Sequence, residues 1–256
     1  MRIVIKIGTS TLTHKTGNMN IRRIEELCKT VADVKNDGNE VIIVSSGAIA
    51  VGTGKLGLLK RPEELSLKQA AAAVGQCELM YVYDRIFEKY NHTVAQILLT
   101  GEDIKDEKRH ENFSNTMKGL LGMNVLPIIN ENDTVSTEEI ALGDNDTLGA
   151  LVAESVKADL LIVLSDTDGF YDKDPHKNAD AKLISVIDKI TPEIEELAGG
   201  KGSQFGTGGM ITKIHAAKIC TAAGCDMIIT NGSNPDVIYD ILDGKSVGTK
   251  FLKVKK

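Results

Sequence analysis

The stretch RIVIKIGTS (residues 2–10) is a run of β-branched residues that contains one lysine and ends in glycine, threonine and serine. Five further short apolar runs recur along the chain, at 40–47, 93–100, 124–133, 159–166 and 226–233. Each run is almost continuously apolar instead of alternating, which is typical of strands covered on both faces in a parallel sheet. We therefore predict a buried, mainly parallel sheet.

Helical patterns lie between these runs. Residues 20–37 begin with Asn20 as the expected N-cap and end at Gly38, and residues 66–90 begin with Ser66 as the expected cap. Further helices are predicted at 112–122, 145–157, 212–223 and 235–242. Because strands alternate with helices, we expect a three-layer α/β/α sandwich with right-handed connections.

Composition narrows the class of protein. The chain has 256 residues, 42% of them hydrophobic, so it can bury a large core, and no linker divides residues 1–256 into more than one domain. The formal net charge is −6 and the basic residues are scattered, so neither nucleic acid nor a membrane is expected as a partner. No apolar run reaches the length of a signal peptide core or a membrane span, so we expect a cytoplasmic protein. The four cysteines lack metal-site spacing and are expected in the core.

Small polar residues follow several predicted strands: GTST (8–11), SSGA (45–48), NENDT (130–134) and SDTDG (165–169). Ligands of such sheets bind beyond the carboxyl ends of the strands, so these segments predict one shared site. Lys6 lies within an apolar strand, where a charge is costly unless it meets a partner. We therefore expect Lys6 to face an anion.

The segment GTGGMITK (206–213) precedes a predicted helix. Its glycines and the helix N-terminus would form a phosphate-binding turn, with Lys213 in the first helical turn, although a simple surface loop fits equally well. The segment is not a Walker A loop, and the formal GxGxxG at 52–57 lacks the strand and the acidic residue of a dinucleotide site. At 44–52, Ser46 and Gly47 offer a hydroxyl and an open backbone to a ligand, with helix capping by Ser45 or Ser46 as the alternative.

Two nearby loops, INENDTV (129–135) and GDNDTLGA (143–150), are rich in amides and carboxylates. Asn and Asp are ordinary turn residues, but together, with Asn145 or Asp146 beginning a helix, the loops suit a pocket for an ammonium and a carboxylate. The segment SDTDGFYDKDP (165–175) fits a nucleotide's base and ribose or a plain turn.

The chemistry that remains is phosphoryl transfer. Metallohydrolase and esterase motifs are absent from the sequence, and no general base is evident. A carboxylate acceptor has a pKa of about 4 and needs no base at neutral pH. The protein then has to supply position and positive charge, which lysines, helix ends and Mg²⁺ provide. Asp146 would lie between the two lysines and reduce their repulsion.

Eight motifs, taken in chain order, resemble the amino acid kinase family, and in particular its members that phosphorylate glutamate in the first step of proline biosynthesis. They are IKIGTS (5–10), SSGAIAVG (45–52), KQAAAAVGQ (68–76), QILLT (96–100), INENDTV (129–135), GDND (143–146), SDTDGFY (165–171) and GTGGMITK (206–213). The resemblance implies ATP-dependent phosphorylation of the γ-carboxylate of L-glutamate to glutamyl 5-phosphate, with ATP and Mg²⁺ as cofactors.

The resemblance also assigns residues. Lys6 and Lys213 would flank the transferred phosphoryl group, with Asp146 orienting them. Ser46, Asp133 and Asn145 would bind glutamate. ATP would be held by Lys6, Ser165, Asp166, Thr207, Gly208, Gly209, Met210, Ile211, Thr212 and Lys213. No metal ligand is assigned.

Partners follow from the same resemblance. We expect a homo-oligomer, dimer or tetramer, with the helix at 66–90 in the interface, proline as a feedback inhibitor near the glutamate pocket, and a glutamate-5-semialdehyde dehydrogenase as the next enzyme. Many members carry a C-terminal PUA domain, whereas this sequence ends soon after VGTKFLKVKK (247–256), so a short form without that domain is expected.

Two alternatives stay open from the residues. A sibling kinase would act on N-acetylglutamate, aspartate, carbamate or UMP, although SSGAIAVG, INENDTV and GDND are closer to the glutamate pattern. A metabolite sensor on the same scaffold would bind without stabilising a transition state, and the retention of Lys6, Lys213 and Asp146 disfavours it.

Overall fold

The computed structural model describes residues 1–14, 16–137, 144–175, 177–199 and 209–254. Across these ranges the strands are β1 (Arg2–Ile7), β2 (Glu40–Ser45), β3 (Val94–Leu99), β4 (Leu126–Glu131), β5 (Leu160–Ser165), β6 (Val186–Ile187), β7 (Asp226–Asn231) and β8 (Thr249–Phe251). The helices are α1 (Thr9–Leu12), α2 (Ile21–Asn36), α3 (Ala48–Lys55), α4 (Leu65–Glu88), α5 (Gly101–Lys105), α6 (Glu107–Gly122), α7 (Asn145–Ser155), α8 (Pro192–Ala198), α9 (Met210–Ala222) and α10 (Val237–Leu242).

The strands form one sheet in the order β3-β4-β2-β1-β5-β7-β8-β6. All pairs are parallel except β7 with β8, so the mainly parallel sheet predicted from the apolar runs is confirmed. The chain passes from β1 to β2 on one side and later crosses to β5 on the other side of β1. The strand order therefore reverses beside β1, and such a reversal opens a crevice at the carboxyl ends of the strands.

Helices cover both faces of the sheet, which confirms the three-layer sandwich. Ile3, Ile5 and Ile7 of β1 pack on one side in a core shared with helices α2, α3, α4 and α10. Val4 packs on the other side, in a core shared with α6, α7 and α9. Because side chains alternate along a strand, Lys6 falls on the same side as Val4 and faces α7 and α9.

Some helix ends follow the sequence and others do not. Asn20 caps α2 by accepting a hydrogen bond of 3.2 Å from the Arg23 N–H, and Gly38 follows the helix with a φ of +87°. The expectation that Ser66 caps α4 is wrong. The N-cap is Glu64, whose backbone is extended, and the Ser66 hydroxyl lies inside the helix and donates to the Glu64 carboxylate.

Several elements differ from the predicted bounds. Helix α6 begins at Glu107 instead of 112, because Asp106 accepts a hydrogen bond of 2.8 Å from the Arg109 N–H and caps the helix earlier. Helices α1, α3, α5 and α8 and strands β6 and β8 were not predicted. The cap of α3 is neither Ser45 nor Ser46 but Gly47, which has a φ of +95°.

Helices α3 and α4 pack backbone to backbone. A Cβ atom added to Gly52 would lie 1.8 Å from the Ala71 carbonyl oxygen, and one added to Gly75 would lie 1.8 Å from the Ala48 carbonyl oxygen. The first glycine of the GxGxxG pattern therefore serves helix packing, a role that the sequence pattern did not predict. This contact fixes α3, which begins right after the end of β2, against α4.

Candidate active site

A cavity of about 640 Å³ opens beyond the carboxyl ends of β1, β2, β4 and β5. The structure brings eight of the sequence-predicted residues into its wall: Lys6, Ser46, Asp133, Asn145, Asp146, Ser165, Asp166 and Lys213. These residues come from distant parts of the chain, and the reversal of strand order beside β1 is what gathers them.

Three charged residues form what we call the lysine cluster: Lys6, Asp146 and Lys213. Lys6 Nζ lies 2.7 Å from Asp146 Oδ1, and Lys213 Nζ lies 3.1 Å from Asp146 Oδ2. Lys6 comes from β1, Asp146 from the first turn of α7, and Lys213 from the first turn of α9. One carboxylate thus holds two ammonium groups that are 207 positions apart in the sequence.

The lysine cluster is buried, which strengthens the electrostatic interactions of its charged groups. Lys6 is 6% exposed, Lys213 is 4% exposed, and Asp146 is fully buried. Burial by itself raises the pKa of Asp146, but the charges of Lys6 and Lys213 outweigh it and hold that pKa below its ordinary value. Asp146 therefore stays ionised at neutral pH, and the cluster carries a net charge of about +1 when both lysines are protonated.

The two oxygens of Asp146 are used differently. Oδ2 accepts a hydrogen bond from Lys213 and lies 3.0 Å from the Thr212 hydroxyl oxygen. The Lys6 contact to Oδ1 is close, but it lacks hydrogen-bond geometry, so Oδ1 has an ion-pair partner and no hydrogen-bond donor within the described part of the chain.

The N-terminus of α9 provides backbone donors beside the lysine cluster. Gly209 is the N-cap and has no side chain to cap the helix. Among the residues that the structure describes, the N–H groups of the first turn, which includes Met210, Ile211 and Thr212, are therefore not used by a capping side chain. Such an end binds anions well. Thr207 and Gly208, the other predicted residues of this segment, lie outside the described residues.

A second group, which we call the amide cluster, consists of Ser46, Gln76, Asn130 and Asn145. Asn145 Nδ2 lies 3.0 Å from Ser46 Oγ and 2.9 Å from Asn130 Oδ1, and Asn130 Nδ2 donates to Gln76 Oε1 at 2.9 Å. The cluster begins where β2 and β4 end and reaches back to α4. It is neutral, and it holds its shape by hydrogen bonds alone.

Asp133 is the acidic residue of the cavity whose pKa is raised. Burial raises the pKa of Asp133 to about 6, the nearby charge of Glu131 adds to the rise, and Arg61 opposes it. Asp133 lies two residues after the end of β4 and lines the cavity together with Asn130 and Asn145. An ammonium group next to Asp133 would favour its ionised form.

Ser165 and Asp166 end strand β5 at the other side of the cavity. Ser165 is 6% exposed, and its hydroxyl donates a hydrogen bond of 3.1 Å to Asp166 Oδ1. The Asp166 side chain is exposed at the mouth of the cavity. It is therefore accessible to a ligand that enters from solvent.

Sequence reasoning missed two members of the amide cluster, Asn130 and Gln76. Both stand in motifs that the resemblance rests on, INENDTV and KQAAAAVGQ, but neither motif says which of its residues contact each other. The position of Asn130 at the end of a buried strand, as for Lys6, is the signal that points to the cavity. Gln76 carries no comparable local signal.

Comparisons with known proteins identify the family of this chain. The model of the amino acid kinase family matches residues 1–231. A glutamate 5-kinase of Clostridium perfringens (strain 13 / Type A) is 53% identical over 258 residues, which cover 99% of this chain and 96% of that protein. A glutamate 5-kinase of Caldanaerobacter subterraneus subsp. tengcongensis is 51% identical over 255 residues, covering 100% of this chain and 68% of that protein.

Among solved structures, carbamate kinase from Giardia lamblia bound to AMP-PNP is similar with a TM-score of 0.68 at 20% identity, over 99% of this chain and 98% of that one. At that identity the likeness concerns the fold. Within the described residues, no helix is long and apolar enough to cross a membrane.

Proposed function

This chain belongs to the amino acid kinase family and is an ATP-dependent glutamate kinase of proline biosynthesis, and we propose that its lysine cluster carries the phosphoryl transfer. The observation that carries this proposal is the bridge through Asp146, which holds Lys6 and Lys213 at 2.7 and 3.1 Å in a cavity. Burying three charged side chains costs folding free energy. A role in catalysis therefore explains the lysine cluster better than a role in stability does.

The transfer needs position and charge more than acid–base groups. The γ-carboxylate of glutamate is ionised at neutral pH and attacks the γ-phosphorus of ATP, while the bond to the β-phosphate oxygen breaks and ADP leaves. Lys6 and Lys213 stabilise the negative charge that spreads over the transferred group and the leaving oxygen. Asp146 keeps the two ammonium groups together, so the charges are in place before the reaction.

Glutamate binds on the side of the amide cluster. Asp133 lines the cavity there, and its carboxylate suits the substrate's ammonium group. Ser46 and Asn145, held together by a hydrogen bond of 3.0 Å, provide a hydroxyl and an amide oxygen that contact the substrate beside Asp133. This arrangement aims the γ-carboxylate at the lysine cluster.

ATP binds between the end of β5 and the start of α9. Ser165 and Asp166 line the cavity on one side, and the start of α9, from Gly209 to Lys213, supplies backbone donors and a charge on the other. The described residues hold no cluster of three or more metal-ligating side chains. Mg²⁺ usually binds through one or two carboxylates together with phosphates and water, and exposed Asp166 is the carboxylate that fits this role. When bound, Mg²⁺ neutralises phosphate charge.

Assembly and regulation follow the same proposal. Helix α4 carries three exposed large apolar side chains, Leu65, Leu67 and Tyr81, and we place the contact between subunits on this helix. Proline, which shares an ammonium and a carboxylate with glutamate, competes at the glutamate side of the cavity. Glutamyl 5-phosphate is an unstable acyl phosphate, so a glutamate-5-semialdehyde dehydrogenase is the partner that consumes it.

The proposal is tested by an ATP-dependent hydroxamate assay with glutamate, aspartate and N-acetylglutamate, with ADP release measured in parallel. We expect hydroxamate and ADP in equal amounts with glutamate, and neither with the other two acids. ADP release without hydroxamate, or turnover of N-acetylglutamate in place of glutamate, would contradict the proposed acceptor.

A further inference from the structure

A glutamine of helix α4 lies behind the glutamate side of the cavity and touches it only through another residue. Gln76 is 8% exposed, and its Oε1 accepts a hydrogen bond of 2.9 Å from Asn130 Nδ2. Asn130 and Asn145 line the cavity, whereas Gln76 does not. The hydrogen bond that joins Gln76 to the cavity wall runs through the amide of Asn130.

The amide of Asn130 has one workable orientation. The backbone N–H of Glu131 donates to Asn130 Oδ1 at 2.9 Å, and a backbone donor cannot turn round. Asn130 Oδ1 therefore faces Glu131 and Asn145 Nδ2, and Asn130 Nδ2 faces the opposite way, toward Gln76. Since Asn130 is only 2% exposed, its Nδ2 would have no acceptor left among the described residues if Gln76 lost its own.

The orientation of Asn130 sets that of Asn145. Asn145 Nδ2 lies within 3.0 Å of three protein acceptors: Asn130 Oδ1 at 2.9 Å, Ser45 O at 2.9 Å and Ser46 Oγ at 3.0 Å. Asn145 Oδ1 has no hydrogen-bond donor among the residues that the structure describes. It is not among the fully buried atoms that lack a partner, so a ligand in the cavity can reach it. Asn145 thus donates hydrogen bonds to the protein through Nδ2, and its Oδ1 can accept one from a ligand with N–H groups.

Helix α4 anchors both neighbours of Asn145. Gln76 follows Gly75, which is pressed against the backbone of α3. Two turns further along α4, the buried Tyr83 places its hydroxyl 3.0 Å from Ser45 Oγ. One helix therefore holds Asn130 through Gln76 and Ser45 through Tyr83.

We propose that Gln76 is a positioning residue for glutamate: it holds the Asn130 amide so that Asn145 presents Oδ1 to the substrate's ammonium group. This inference rests on the proposed glutamate-binding role of the amide cluster. It gives α4, which also carries exposed apolar residues, a hydrogen-bonded route to the substrate through Asn130 and Asn145. Glutamate affinity, and not the transfer step, is what Gln76 controls.

The test compares Gln76→Met with Gln76→Glu by steady-state kinetics. Met keeps the length of the side chain but removes the acceptor, and we expect the glutamate KM to rise about tenfold, with kcat and the ATP KM within about threefold of wild type. Glu restores an acceptor at the same place and should bring the glutamate KM back to within about threefold of wild type. Gln96→Met, at an exposed glutamine of β3, is the matched control and should change nothing.

A second background separates positioning from general damage. In an Asn130→Ala protein, Gln76→Met should have no further effect on the glutamate KM, because the hydrogen bonds that link Gln76 to Asn145 through Asn130 are already lost. If Gln76→Met does not fold in thermal unfolding, Gln76→Asn keeps an amide but is too short to reach Asn130, and the same rise in KM is expected.

The inference fails if the acceptor-free variant keeps a normal glutamate KM, if Glu behaves like Met, or if the effect persists unchanged in the Asn130→Ala background. A wild-type protein that does not phosphorylate glutamate would contradict the proposed function instead, so the two failures are distinguishable.

Discussion

The lysine cluster and the amide cluster lie in one cavity but hold their shape by different means. In the lysine cluster, one buried carboxylate fixes two ammonium groups by charge, at 2.7 and 3.1 Å. In the amide cluster, neutral groups are joined by hydrogen bonds of 2.9 to 3.0 Å that end on helix α4. The charges of the lysine cluster act on the phosphoryl group, whose charge distribution changes during the transfer. The directional hydrogen bonds of the amide cluster recognise the shape of glutamate. Substitutions in the lysine cluster should therefore lower mainly kcat, and substitutions in the amide cluster should raise mainly the glutamate KM.

The largest effect is expected from Asp146→Asn, which keeps the size of the side chain and removes its charge. Two buried ammonium groups would then face each other without a counter-charge, so their positions and protonation would change. We expect kcat to fall about 1000-fold and the free energy of unfolding to fall by about 3 kcal/mol.

The control for this variant is Asp240→Asn, which breaks the exposed ion pair with Lys245. That exposed pair should contribute little to stability, and kcat should stay normal. Equal losses in the two variants would show that the burial of Asp146 has no special consequence.

The second largest effect is expected from Gly52→Ala, because the new methyl group would meet the Ala71 carbonyl at 1.8 Å. Helices α3 and α4 would have to separate, and we expect a loss of about 3 kcal/mol in the free energy of unfolding, measured by urea denaturation. Gly119→Ala is the matched control on α6, where nothing lies within 4 Å of the added methyl group. It should leave stability unchanged or raise it by up to about 1 kcal/mol.

A smaller effect is expected from Asn145→Ala, which removes the centre of the amide cluster. The glutamate KM should rise about 30-fold while kcat falls less than about fivefold, since the lysine cluster is left intact. Initial rates at varied glutamate and saturating ATP measure both. A loss that falls mainly on kcat would place Asn145 with the lysine cluster and break the division between the two regions.

The smallest effect is a pH dependence from Asp133. Its pKa is raised to about 6, so the carboxylate is mostly protonated at pH 5 and no longer attracts an ammonium group. Between pH 7.5 and pH 5 the glutamate KM should rise about tenfold, and this rise should be absent in Asp133→Asn. A raised pKa also means that ionised Asp133 disfavours the fold above about pH 6, so Asp133→Asn should raise the Tm at pH 8 but not at pH 3.

The sequence located the lysine cluster better than the amide cluster, for a physical reason. A lysine in an apolar strand and a glycine-rich turn before a helix are local signals, and Lys6 and Lys213 each carry one. The hydrogen bond between Asn130 and Gln76 joins residues 54 positions apart, and no local sequence pattern predicts it. Long-range hydrogen bonds of this kind are decided by packing, here by the glycine contact between α3 and α4.

The same reasoning explains the errors in the fold. Ser66 satisfies the local rule for an N-cap, but the helix begins one residue earlier, at Leu65. Helix α3 reads AIAVGTGK, whose two glycines disfavour a helix by propensity, yet those glycines allow its packing. Strands β6 and β8 have two and three residues, too short to show a pattern.

The division of labour between the clusters is tested most directly by Lys213→Ala, with kcat and glutamate affinity measured on the same preparation. Lys218→Ala, which removes an exposed lysine of the same helix, is the control. We expect kcat at saturating ATP and glutamate to fall at least about 100-fold, with the glutamate Kd from calorimetry within about threefold of wild type. A near-normal kcat, or a Kd that weakens as much as kcat falls, would contradict the assignment of the transfer step to the lysine cluster.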